Sequence, residues 1–277
     1  MKNEKIKKIL IYIGKFILAI IAVLICTILS QGLIGMLLSN IPTPIRKIVQ
    51  GIIYLSLGIL FLYLLRKFID KKTLFSVGFE IKGRVRDIFM GTLLGIITVA
   101  IGFVIIYVIE KPQIDTFIRI NFIAAFFVLS VCTALFEEMF MRGYILNNLL
   151  DICNKYIAVL IAAFPFVILH LFNSHISVIP VLTIFLGSVL LGLIYIQTKN
   201  LWFVTVFHLF FNFTQAMLGF NVSGGESPSI IQPQLPDNLL TGGEFGFEGS
   251  YICVIILSIC ILYFAQKKVK NVFYKKI

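Results

Sequence analysis

Apolar runs of roughly 18 or more residues, the length of a membrane-spanning helix, recur along this chain with short polar breaks between them. The pattern predicts about eight spans: Leu10–Leu38, Ile48–Leu65, Ile88–Ile109, Phe122–Leu150, Tyr156–Phe172, Ile176–Ile196, Leu201–Phe220 and Tyr251–Ala265. Lipid offers no partner for loose backbone groups, so these runs imply an all-α, polytopic membrane helical bundle. The short alternating segments of a membrane β-barrel are not visible. Two prolines in Ile41–Lys47 end the first span.

The breaks suggest an organisation. Residues 1–120 form three membrane helices with a basic loop, and 121–220 a candidate catalytic core. Residues 221–250 form an outer loop, rich in Gly, Pro and Ser and expected to be flexible. Residues 251–277 hold the last span and a basic tail. Gly91-x-x-x-Gly95 and Ser188-x-x-x-Gly192 read as small-residue pairs for close helix packing.

Composition supports this picture. The chain is 59% hydrophobic and 13% charged, against about 25% charged for a soluble domain. The net charge of +11 sits beside the apolar runs, so it reports membrane topology and not nucleic-acid binding. Lys and Arg crowd the N-terminal tail, the loop from Arg66 to Arg86 and the tail from Lys267 to Lys276, whereas Asn221–Ser250 has none. Both termini are therefore expected in the cytoplasm of a cell-membrane protein. The head MKNEKIKK resembles a signal peptide, but the apolar run behind it is too long and should remain as the first helix. Lys15 is expected to snorkel to the surface. Cys26, Cys132, Cys153, Cys253 and Cys260 read as small buried hydrophobes.

Charges within the spans concentrate in FEEMFMRGYILN, residues 136–147. Each charge in mid-bilayer costs about 2.5–3.5 kcal/mol on insertion scales, so this trio needs partners. On a helix Glu138 and Arg142 lie one turn apart on one face, while Glu137 points about 100° away. One carboxylate then has a cation, and the other is free for chemistry. In the fifth span Phe166 stands one turn before His170, with Asn173 and Ser174 nearby and Pro165 freeing a backbone carbonyl. In the seventh, Thr205, His208, Asn212 and Gln215 share one helix face. A rise of 1.5 Å per residue puts Glu137, His170 and His208 at about 20, 22 and 12 Å depth, provided the fourth helix runs straight through its charged motif. The site would then lie within the bilayer and open toward the cytoplasm.

Such residues suit peptide hydrolysis. A carboxylate and an imidazole can activate water, while a second imidazole and an amide stabilise an oxyanion. The alternative is Zn²⁺ held by Glu137, His170 and His208. No H-E-x-x-H or G-x-S-x-G occurs.

The motifs E-E-x-x-x-R (Glu137, Glu138, Arg142), F-x-x-x-H (Phe166, His170) and H-x-x-x-N (His208, Asn212) together resemble the CAAX protease and bacteriocin-processing (CPBP, or Abi) family of intramembrane endopeptidases. The resemblance covers roughly 122–220. It implies that Glu137 and His170 activate water, that His208 and Asn212 support the oxyanion, and that Glu138 and Arg142 orient the site. No metal is favoured, and the implied substrate is a membrane-associated or lipidated peptide. Bacteriocin processing and self-immunity are the implied roles. Two other readings remain open: a non-catalytic peptide-binding immunity protein and a proton-coupled transporter, the latter opposed by the lack of an internal repeat.

Overall fold

The computed structural model describes residues 2–116 and 118–266; the basic tail expected from Lys267 onward lies outside them. Eight helical rods form the bundle. The first four are α1 (Lys2–Leu37), α2 (Thr43–Leu64, running into a π-helical turn Leu65–Ile69), α3 (Val85–Glu110) and a compound rod. That rod is α4 (Ile120–Glu138), a π-helical segment Met139–Leu146 and α5 (Asn147–Leu149). Then come α6 (Lys155–His170), α7 (Val178–Thr198), α8 (Leu201–Met217) and α9 (Tyr251–Gln266). The first four rods and α7 are long and apolar enough to cross a membrane, whereas α6, α8 and α9 are shorter apolar helices. The predicted spans at Tyr156–Phe172 and Leu201–Phe220 thus overrun their helices, which stop where the chain turns at His170 and Met217.

Helix contact depends on small residues, as expected for packing within lipid. A Cβ at Gly91 would meet the Phe203 carbonyl, and one at Gly95 the Phe207 carbonyl, so α3 lies directly on α8. Gly192 seats Val159 and brings α7 onto α6. All five cysteines are free.

Residues 221–250, expected as a flexible loop, instead fold into a cap. Its strand β2 (Ile231–Pro233) pairs antiparallel with β1 (Ile114–Thr116), Ile114 opposite Pro233. This two-stranded sheet is an addition to the all-α expectation. Apolar anchoring explains the order: Phe245 and Phe247 are 2% and 0% exposed, and Gly102 of α3 leaves room for the Phe247 ring. Asn173 Nδ2 donates to Ser223 O at 3.1 Å, and His175 pairs with Glu244 at 2.7 Å. The cap therefore grips the loop that follows α6.

The basic loop is also folded. Its 3₁₀ turn Leu74–Val77 buries Val77 completely, against Gly143 of the π segment. Tyr195 OH donates to Val77 O at 2.9 Å, and Asn200 Nδ2 to Glu80 O at 2.6 Å. The basic loop is consequently packed against that end of the motif rod.

Candidate active site

The compound rod continues through the charged motif, as the depth argument required. Glu138 ends α4, and Arg142 sits in the π segment, a helix variant found mostly at functional sites. Their side chains are 0% and 2% exposed, and Arg142 Nη1 donates to Glu138 Oε1 at 2.8 Å. A second guanidinium nitrogen donates to both the carbonyl and the hydroxyl of Ser188, at 3.1 and 3.0 Å. The Phe166 ring lies 5.1 Å from the guanidinium carbon. Arg142 is thus held by α4, α7 and α6 together, which offsets the cost of burying its charge. Ser188, read from sequence as a packing residue, is in fact one of its polar anchors.

His208 comes from α8. Its Nδ1 lies 2.9 Å from Glu138 Oε1, the same oxygen that receives Arg142. Its Nε2 lies 3.8 Å from Glu137 Oε2. Glu137 is 25% exposed, more open than its neighbour, and no cation other than His208 pairs with it among the described residues. The predicted division between a held carboxylate and a freer one is therefore present in the geometry.

His170 is placed differently. Its Nδ1 lies 2.7 Å from Phe166 O, a carbonyl that can only accept, so Nδ1 donates and Nε2 is the ring nitrogen left for other partners. Its ring centroid is 4.4 Å from that of Phe166, and the His208 ring is 6.2 Å from the same Phe166, so both imidazoles neighbour this ring. Among the described residues no hydrogen bond or ion pair joins His170 to Glu137. Asn212, one turn beyond His208, is half-buried without a side-chain hydrogen bond among them. Asn173, grouped with His170 by sequence, is committed to the cap. Thr205 and Gln215, on the same face as His208, are 5% and 0% exposed.

Among the described residues, no group of three His, Cys, Asp or Glu side chains is arranged to hold a metal ion. Glu137, His170 and His208 as placed do not form a zinc site, and no step is derived through one.

The apolar bundle thus holds a buried cluster of carboxylates, an imidazole and a guanidinium among its helices. Residues 119–214, from the start of α4 nearly to the end of α8, match the family described as type II CAAX prenyl endopeptidase Rce1-like. All three motifs fall inside that segment, and over it the chain is similar to the CAAX protease family. No curated protein matches the chain.

Proposed function

We propose that this protein is an intramembrane endopeptidase that hydrolyses a peptide bond in a membrane-associated or lipidated peptide, with the basic ends of the bundle in the cytoplasm. The observation that carries this reading is the asymmetry of the acidic pair. Glu138 Oε1 takes both Arg142 and His208, while Glu137 stands partly exposed, 3.8 Å from His208 Nε2. A held carboxylate fixes an imidazole; a free one can take a proton from water.

In this mechanism Glu137 and His170 Nε2 deprotonate the attacking water. His208, donating Nδ1–H to Glu138, turns a protonated Nε2 toward the developing oxyanion, and the Asn212 amide supplies a second donor there. Glu138 and Arg142 orient His208. None of these steps draws on a metal. The test is cleavage of a reporter peptide by the purified protein, with and without a chelator, alongside Glu137→Gln. Comparison of membrane peptides from wild-type and Glu137→Gln cells would identify the substrate. Full cleavage by Glu137→Gln would reject the mechanism, and loss of cleavage with the chelator would reinstate a metal.

A further inference from the structure

Buried side-chain atoms without a hydrogen-bond partner are rare in native proteins, because each keeps the full penalty of losing water. Here Glu138 Oε2, on the carboxylate that meets His208, and the Thr205 hydroxyl, one turn from His208, are two such atoms. Thr205 differs from four other helical threonines of the chain, and from Thr92 and Thr214, which also lack such a bond but are only half-buried. Thr27, Thr98, Thr183 and Thr198 each donate to the carbonyl four residues back, the usual resting place of such a hydroxyl. Thr205 makes no such bond although it is 5% exposed.

Its height in the bundle is bracketed by two contacts. Leu201 packs 3.3 Å from the position a Cβ would take on Gly143, and His208 bonds Glu138 at 2.9 Å. Since α8 passes the motif rod in the opposite direction, Thr205 lies between these levels, alongside the stretch from Glu138 to Arg142. It is three residues from His208 and so shares its face. A hydroxyl donor and a carboxylate acceptor, both buried and unpaired, thus stand at nearly the same depth. A water can join a buried hydroxyl donor to a carboxylate acceptor of this kind.

We infer that Thr205 is a positioning residue, its hydroxyl serving Glu138 Oε2 through one buried water so that Oε1 stays aimed at His208 and Arg142. The inference rests on the peptidase reading for its effect on rate, but not for the contact itself. The test uses the full chain in detergent micelles with ¹⁵N-labelled histidine, in which only three histidines report. Thr205→Val keeps the shape and removes the hydroxyl; Thr205→Ser keeps the hydroxyl. The expected result is a His208 Nδ1 resonance that moves in Thr205→Val and not in Thr205→Ser. Peptide cleavage should fall roughly tenfold or more in Thr205→Val, as for loss of a hydrogen bond to a charged group, and stay near wild type in Thr205→Ser. An unmoved resonance in Thr205→Val, or equal disturbance in both variants, overturns the inference. If the wild-type protein cleaves nothing, the peptidase reading fails, and the resonance still decides the contact.

Discussion

Two ionic clusters lie within this bundle, each where a helix opens into a π-helical segment, and they are built differently. At the motif rod, Glu138 carries Arg142 and His208 while Glu137 stays loosely engaged. At the end of α2, Asp70 takes Arg66 at 2.8 Å and Lys15 of α1 at 2.7 Å, and its side chain is 0% exposed. Arg66 also donates to Ser76 in the basic loop. That second cluster joins α1, α2 and the loop, and it keeps no carboxylate in reserve. Lys15 is thus an inward-facing partner of Asp70, not the snorkelling lysine expected from sequence. The difference separates structural charge, which is fully matched, from chemical charge, which leaves one acid available.

The comparison can be broken at either cluster. Glu137→Ala or His170→Ala should reduce cleavage by roughly 10²–10⁴-fold, the usual contribution of general acid–base groups, with the folded protein still abundant. Reporter-peptide kinetics beside a size-exclusion profile would check this. Asp70→Ala should act oppositely. It strands two buried cations, costs about 3–5 kcal/mol of stability and lowers the thermal midpoint, while cleavage per folded molecule persists. Equal loss of activity in folded Asp70→Ala would merge the two clusters into one functional unit. Ser188→Ala removes one of two acceptors for the same guanidinium nitrogen and should cost about 1 kcal/mol, visible as a modest shift in denaturant midpoint. His175→Ala should do least. Its pair with Glu244 is exposed on both sides, and such surface pairs contribute about 0–1 kcal/mol, so unfolding midpoints should nearly coincide.

Much of the site was legible because polar groups stand out against lipid-facing sequence. The i, i+4 spacing of Glu138 and Arg142 and the shared face of His208 and Asn212 follow from helix geometry alone. Ser188 was less visible: a serine in an apolar helix serves packing or hydrogen bonding equally well. Only Arg142 of another rod shows which. The cap was missed for a related reason. Its Gly- and Pro-rich composition resembles that of a loose loop, and its order comes from Phe245, Phe247 and a strand partner more than a hundred residues away.

From the sequence alone came the all-α class of apolar helices, the passage of the fourth helix through its charges and the three motifs. These depend on local periodicity and on the cost of charge in lipid, both readable along one strand of chain. Tertiary structure decided which carboxylate meets which imidazole, that Phe166 neighbours both His170 and His208, and that Asp70 claims Lys15. Pairings between rods depend on how helices rotate and slide against one another. That geometry is set by distant small residues such as Gly91, Gly95 and Gly192, whose spacing marks a contact without naming its partner.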